Sequence, residues 1–513
     1  MKQTYEIGID PRHGEEVGSG LEITTPDGVE EACRAAASAT EWAKQLLPTH
    51  RADLLRACAD ELERIGDSII RIAELETALG DPRLRGELGR TTGQMRFLAR
   101  VVEDGSYLDV IIDSPDDGPD LRRSNRPIGP VAVFAASNFP LAFSVAGGDT
   151  VAAIAVGCPV VVKSHPAHPG TSRLVADAVS RALSACGAPA GMFAMVSGID
   201  AGRQLVLDRR IQAVAFTGSA AAGMSLSRLA ARRDLPIPVF AEMGSTNPVV
   251  VTPEASEAYR AEIVNGLAES FTLGMGQFCT KPGLIFLPAA DVGRFMSDTA
   301  DKLGSAGPLL SRTIWDNWND RTESWAQHAG VEPSDSAATG TSAEDGTWAT
   351  PRLLATTAAA IIEFAELREE CFGPTALVVG YNSQHELLEA VAQLGGSLTG
   401  TLWSIGAKDT SAQRLSERLQ DTCGRVVHNG WPTGLTVTWA MHHGGPFPAT
   451  SSPAHTSVGA ASIERFIRPV CLQDAPTWLL PPEVQDSNPL QIPRRVNGRY
   501  ELPQLKVDRG ENQ

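Results

Sequence analysis

Between Ile128 and Met243 short apolar runs alternate with helical stretches, and this alternation constrains the fold more than any other feature. The runs are VAVFAAS (131–137), VVVK (160–163), FAMV (193–196), AVAFTG (213–218) and VFAEM (239–243). They are continuously apolar, so both faces of each strand must be covered. That is the condition of a parallel sheet with helices on either side. The segments between them read as helices. One is a small-residue stretch near 144–156, and another spans about 219–233. A third, TSRLVADAVSRALSACG, sets Leu174, Val175, Ala178, Val179 and Leu183 on one side. Thr171 or Ser172 is expected to cap its start and Gly187 its end. A nucleotide would bind such a sheet at the carboxyl ends of its strands.

At 513 residues the chain is too long for one ordinary domain. The first hundred residues read as helical, with Leu55, Cys58, Leu62, Ile65 and Ile69 on one apolar face. SPDDGPDLRRSNRP (114–127) is expected to be a linker or exposed arm. A second alternating region runs from about 247 to 446. Its middle, about 305–350, is rich in Asp, Trp, Ser and Gly, and the last forty residues look like an extended, proline-rich tail.

Forty-four basic and 61 acidic residues leave a net charge of −17. Such a chain is repelled by nucleic acid and by anionic membranes, so neither is an expected partner. The eight cysteines include no C-x-x-C pair, which removes the usual zinc-ribbon and thioredoxin signatures. The start lacks an apolar signal core. Val145–Val162 is interrupted by Asp149, Gly157 and Pro159 and is too short to span a bilayer. The expectation is a cytoplasmic protein with reduced thiols.

There is no G-x-G-x-x-G after a strand, no Walker A motif, no H-E-x-x-H and no G-x-S-x-G. His442 and His443 are adjacent, with no acidic partner at ligand spacing, so a loop or surface role is expected and no metal. Three segments carry possible chemistry. In AASNFPLA (135–142), Asn138 is either a turn residue before a proline or an amide aimed at a developing oxyanion. In FTGSAAAG, Gly218 and Ser219 open a helix straight after a strand, where phosphate could meet free N–H groups. Nearby Glu242 sits in an apolar strand, as half of a structural ion pair or as a functional carboxylate. In GMGQFCTKPG (274–283), Cys279 is either a small buried hydrophobe or a thiol at a loop–helix junction, where backbone N–H groups favour the thiolate.

Taken together, in the order Asn138-Phe139-Pro140, VVVK, FTGS, AEMG, GQFC and EECFGP, these segments resemble the aldehyde dehydrogenase superfamily. HPAHPGTS (165–172), Cys-Thr-x-Pro-Gly, HHGGPFPATS and TSVG carry a further resemblance to the 2-oxoglutarate-semialdehyde (2,5-dioxovalerate) dehydrogenases. The resemblance implies an α/β fold: a Rossmann-like cofactor-binding domain (1–110 and 127–245), an α/β catalytic domain (246–455), and a small β oligomerisation arm with the C-terminal region (111–126 and 456–513). It implies oxidation of a small-molecule aldehyde to a carboxylic acid with NADP or NAD, in a homodimer or homotetramer.

Its residue roles follow. Cys279 is the nucleophile that forms a thiohemiacetal and then a thioester. Asn138 and the Cys279 N–H hold the oxyanion. Glu242 activates the hydrolytic water, with a raised pKa expected from an apolar pocket. Lys163 binds the adenosine ribose or a phosphate on it, Gly218 and Ser219 face the pyrophosphate, and Glu370 and Phe372 position the nicotinamide, Glu369 being the alternative carboxylate. Phe139 borders the substrate.

Three departures from the family pattern matter. Ser137 replaces an aromatic residue before the catalytic Asn, which widens the channel or changes its polarity. Pro166 replaces the Glu of many NAD-preferring members, and His165 and His168 lie nearby, which favours NADP. Lys281 is either solvated or a cation at the pocket mouth that attracts a carboxylated substrate. The expected substrate is 2-oxoglutarate semialdehyde. Alternatives are a medium- or long-chain aldehyde or another semialdehyde used with NADP, and cofactor-independent esterase action by Cys279.

Overall fold

The computed structural model describes residues 4–116, 118–333 and 346–503. Asp117 of the 114–127 segment, residues 334–345 of the Asp- and Gly-rich middle and the last ten residues of the tail lie outside the described residues. The chain opens with a hairpin, β1 (Tyr5–Ile9) and β2 (Glu16–Glu22), where helix was expected. Helices α1 (Pro26–Gln45), α2 (Pro48–Arg64), α3 (Gly66–Thr77) and α4 (Asp81–Asp104) follow. Leu55, Cys58 and Leu62 form a buried face of α2, while Ile69 belongs to α3, because the helix is broken at Ile65.

Strands β3 (Val110–Asp113) and β4 (Leu121–Pro127) come next. The 114–127 segment is thus partly strand. Its β4 pairs antiparallel with Ile467–Gln473, and the sheet continues through β3 to Arg494–Val496 and Arg499–Glu501. The tail is therefore folded over much of its length.

The expected parallel sheet is present. It contains β5 (Val131–Phe134), β6 (Val160–Lys163), β7 (Phe193–Val196), β8 (Ala213–Thr217) and β9 (Val239–Glu242), in the order β7-β6-β5-β8-β9. Helices α5 (Gly148–Val156), α6 (Pro169–Ala185), α7 (Ile199–Leu207) and α8 (Ala220–Ala231) connect its strands. The order reverses at β5 and β8, and a crevice opens beyond their carboxyl ends, as this topology requires.

Helix α6 begins two residues earlier than its expected cap. Pro169 occupies the first turn, where its missing N–H is harmless, and the Thr171 hydroxyl donates instead to Glu76 (2.7 Å). Past its other end, Gly187 takes the left-handed conformation (φ 79°), as expected.

The second sheet has seven strands. Val331–Pro333, Arg352–Thr357 and Thr375–Tyr381 lie on one side of β10 (Val249–Val251) and β11 (Leu284–Pro288). Ser397–Trp403 and Cys423–His428 lie on the other. All pairings are parallel except the first. The tip of the N-terminal hairpin reaches this unit: the Thr347 N–H donates to Pro11 O (2.9 Å) and Trp348 Nε1 to Arg12 O (3.0 Å). No described helix is long and apolar enough to cross a membrane.

Candidate active site

A cavity of about 900 Å³ runs from the carboxyl ends of β5 and β8 to Cys279. Along it lie Asn138, Phe139, His165, Gly218, Ser219, Glu242, Glu370 and Phe372. Eight of the eleven expected site residues thus share one cavity with the thiol. Lys163 and Lys281 do not border it.

Cys279 follows a turn built by three left-handed residues, Gly274 (φ 56°), Met275 (φ 56°) and Gly276 (φ 66°). A Cβ on Gly276 would lie against the carbonyl of Gly373, so the turn and the EECFGP loop approach through backbone. Asn247 fastens the turn, its Nδ2 donating to Cys279 O (2.8 Å) and Lys281 O (2.9 Å). The helical segment expected before Cys279 is present, as Arg260–Thr272 and the turn Leu273–Gly276, but no helix follows the thiol, so no helix N-terminus faces it. Asn138 reaches the same turn and donates to Gln277 O (3.0 Å).

Glu242 ends β9 and is buried. One of its oxygens accepts from the Ser457 hydroxyl, and Oε1 lies 3.1 Å from His443 Nε2. The same His443 nitrogen lies 3.4 Å from Cys279 Sγ. His443 therefore sits in a loop, as expected, but is not a surface group. Its side chain is 1% exposed and stands between the nucleophile and the carboxylate. The sequence gives no local sign of this, because the contact joins residues 164 positions apart.

These contacts reverse two electrostatic expectations. Burial pushes Glu242 up, but His443, Ser457 and Arg465 outweigh it and hold its pKa below the ordinary value. Burial, with the Glu242 charge behind it, pushes the Cys279 thiol well above its ordinary pKa, although Arg90 and the backbone N–H oppose this. The resting Cys279 is thus a thiol, and it must lose its proton on demand.

Toward the other end, Ser219 caps α8 by accepting from the Ala222 N–H (3.3 Å), while the first N–H groups of the helix have no partner within it. A Cβ on Gly218 would fall 2.6 Å from the Phe216 ring, so only glycine keeps this turn open. With Glu370 and Phe372 at the far end, these residues fit a dinucleotide: free N–H groups for the pyrophosphate, a carboxylate for a ribose and a ring for the nicotinamide. Burial pushes Glu370 up to about 7, with Lys281 pulling the other way. Glu369 is instead a surface group paired with Arg321.

Two lysines and a histidine stand differently from expectation. Lys163 is covered by the N-terminal hairpin, its Nζ lying 3.9 Å from Glu6 Oε1. Lys281 is not at a pocket mouth. It is 2% exposed and donates to Cys371 O (2.8 Å) and Thr375 O (2.6 Å), fastening the loop of Glu370 and Phe372 to the nucleophile turn. Both of its strong bonds are internal, so it cannot hold a substrate carboxylate. His168 is buried against Ala136 O (3.0 Å), and burial lowers it to about 4; His165 borders the cavity but is likewise driven down. Neither supplies a positive charge for a phosphate at neutral pH.

Residues 2–468 match the profile described as the aldehyde dehydrogenase family. The chain is 44% identical over 505 residues to alpha-ketoglutaric semialdehyde dehydrogenase 2 of Azospirillum brasilense, covering 96% of each chain. It is 41% identical over 486 residues to alpha-ketoglutaric semialdehyde dehydrogenase of Acinetobacter baylyi, covering 92% of this chain and 91% of the relative. Among solved structures, the NAD+ complex of an aldehyde dehydrogenase from Bacillus cereus superposes with a TM-score of 0.78 at 20% identity, covering 91% of this chain and 93% of that one.

Proposed function

The chain belongs to the aldehyde dehydrogenase family, and from that premise we propose that it oxidises 2-oxoglutarate semialdehyde (2,5-dioxopentanoate) to 2-oxoglutarate. Oxidation of an aldehyde to its acid with a nicotinamide cofactor is the family's reaction. The substrate is supported by the two semialdehyde dehydrogenases that match nearly the whole chain. The observation that carries the residue assignment is the contact of Cys279, His443 and Glu242 at one end of the cavity.

In this reading the thiol proton passes to His443 Nε2, with the Glu242 carboxylate stabilising the imidazolium. Sγ attacks the aldehyde carbon, and the new oxyanion accepts from Asn138 Nδ2 and the Cys279 N–H. A nicotinamide bound in the cavity would supply the hydride acceptor needed for oxidation of the thiohemiacetal to the thioester. Water then attacks the thioester carbonyl and gives its proton to Glu242. The acid leaves and the thiol is restored. Gly218 and the first turn of α8 hold the pyrophosphate, and Glu370 and Phe372 hold the nicotinamide end. Phe139 walls the substrate, and Ser137 leaves room beside it.

NADP is the proposed cofactor, because Pro166 puts no carboxylate at the cavity where the adenosine ribose would lie. Contact between that ribose and Lys163 requires the hairpin strand carrying Glu6 to yield. We read the five-stranded and seven-stranded units as the cofactor and catalytic domains, with the boundaries given above. The β4 sheet is the oligomerisation arm of a dimer or tetramer, and exposed Tyr500 on its edge strand Arg499–Glu501, with exposed Leu502 beside it, supports this.

The test compares kcat/KM for 2-oxoglutarate semialdehyde, succinic semialdehyde and a long alkyl aldehyde, each with NADP and NAD. The first aldehyde should be preferred with NADP, and Pro166→Glu should move the preference toward NAD. A preference for the alkyl aldehyde overturns the substrate, and unchanged cofactor selectivity in an intact Pro166→Glu protein overturns the role of that position.

A further inference from the structure

With Lys281 occupied internally, a carboxylated substrate needs another cation. Helix α4 supplies candidates: Arg83, Glu87 and Arg90 lie on one face, four and three residues apart. Glu87 is buried and accepts from the N–H groups of Leu141 (2.8 Å) and Ala142 (2.9 Å), tying the helix to the turn after Asn138. Arg83 donates to Asn138 O (2.7 Å), and its guanidinium lies 4.7 Å from the Phe278 ring centre and 5.0 Å from that of Phe139.

Arg90 is different. Its guanidinium lies 4.9 Å from the ring centre of Phe143 and 5.5 Å from that of Phe139. Its Nε and Nη2 are enclosed, yet no described protein group accepts a hydrogen bond from them. Its charge is felt at Cys279 and Glu242, and the Phe143 ring is 6.3 Å from that of His443.

The other cations around the nucleophile each hold at least one protein acceptor, although Arg83 Nη1, Arg425 Nε and Arg465 Nη2 are also enclosed without one. Arg425 donates to Pro432 O (2.6 Å) and Gly434 O (3.1 Å). Arg465 pairs with Asp149 (2.7 Å). Lys281 and Arg83 hold the carbonyls already named. Aromatic faces attract a guanidinium but leave its in-plane N–H groups unsatisfied. Enclosed donors without acceptors are costly, and a carboxylate lying in the plane of the guanidinium satisfies two at once.

We propose that Arg90 binds the distal carboxylate of the substrate, so that the semialdehyde chain runs along Phe139 and Phe143 from Cys279 to α4. This rests on the reading that the substrate is a carboxylated semialdehyde. Phe139 and Phe143 border the cofactor cavity and Arg90 does not. The carboxylate therefore lies on the face of the two rings turned away from the cofactor. Arg83 and Glu87 are positioning residues that fix the Asn138 turn against the same helix.

The experiment uses the full-length enzyme with Arg90→Met and Arg90→Lys, and compares 2-oxoglutarate semialdehyde with pentanal, an uncharged aldehyde of the same chain length. In Arg90→Met the ratio of the two kcat/KM values should fall about 10- to 100-fold, mainly through KM of the charged substrate, as expected for loss of a charge-assisted pair. Glutarate should inhibit pentanal oxidation by the wild type competitively. Its Ki should rise by at least about tenfold in Arg90→Met, with partial recovery in Arg90→Lys. If Arg90→Met does not fold, as judged by its thermal midpoint, Arg90→Lys decides the matter, since it keeps the charge and loses the fork.

An unchanged glutarate Ki overturns the proposal. So does an equal loss for both aldehydes with Cys279 alkylation moved to higher pH, which would make Arg90 a thiolate stabiliser. A wild type that does not favour the charged aldehyde over pentanal overturns the substrate reading instead, and glutarate still decides the role of Arg90.

Discussion

Replacing His443 with asparagine removes the one group among the described residues that touches both Cys279 Sγ and Glu242 Oε1. Two consequences follow from the distances. The first is kinetic. The 3.4 Å contact is a direct path for the thiol proton, and loss of a positioned base costs on the order of 10²- to 10⁴-fold. The lower end is expected, because one oxygen of Glu242 lies within 4.8 Å of Sγ and a single water in the space left by the ring can relay the proton. The burst of reduced cofactor should therefore slow about 10²-fold. The second is electrostatic. His443 is the foremost influence holding the Glu242 pKa below its ordinary value against burial. Without it the carboxyl shifts upward, and the acid limb of the steady-state pH profile moves to higher pH. Stopped-flow absorbance gives the burst rate, and iodoacetamide alkylation against pH gives the thiol titration. Glu242→Gln is the comparator: it should keep a burst near one equivalent and lose steady turnover on the order of 10²-fold. A His443→Asn enzyme with wild-type burst rate and an unmoved acid limb would refute the relay, and Glu242 would then act on the thiol alone.

Lys281→Met should leave two buried carbonyls, those of Cys371 and Thr375, without their donor. The cost is about 2–4 kcal/mol of stability, read from urea denaturation, with a rise in cofactor KM and no change in the preference between charged and uncharged aldehydes. Loss of that preference alone would restore Lys281 as a substrate ligand. Glu370 ionises near pH 7 in the folded protein, against 4.5 for the ordinary group. Only its ionised form is a pure acceptor for ribose hydroxyls, so cofactor KM should fall as pH rises through about 7, and Glu370→Gln should flatten that dependence. The same shift makes stability fall as pH rises from about 4.5 to about 7, since the unfolded chain releases this proton first. A cofactor KM that is flat with pH in the wild type would remove Glu370 from the ribose.

The parallel sheet was legible because its strands are buried on both faces, a condition written into continuous apolar runs such as Val131–Phe134 and Val160–Lys163. The N-terminal hairpin was not. Its β1 residues alternate between exposed and buried over only five positions, too short a stretch to stand out from neighbouring helices. Cys279, Glu242 and Asn138 were recognisable because each interrupts an apolar or glycine-rich segment, and such interruptions are local. The groups that tune them are not local. His443 arrives from a glycine-flanked loop that closes beside β9, Ser457 from the loop that returns along it, and Arg90 from a helix that precedes the whole sheet. Lys281 shows the same limit from the other side. Two residues from the nucleophile, it looked like a pocket cation, yet the turn that exposes Cys279 sends Lys281 inward to the carbonyls of Cys371 and Thr375. Distance along the chain marks which backbone carries a reacting atom. Which charge that atom feels is decided by elements that meet only after packing, and for this site the closest of them, His443, lies 164 residues away.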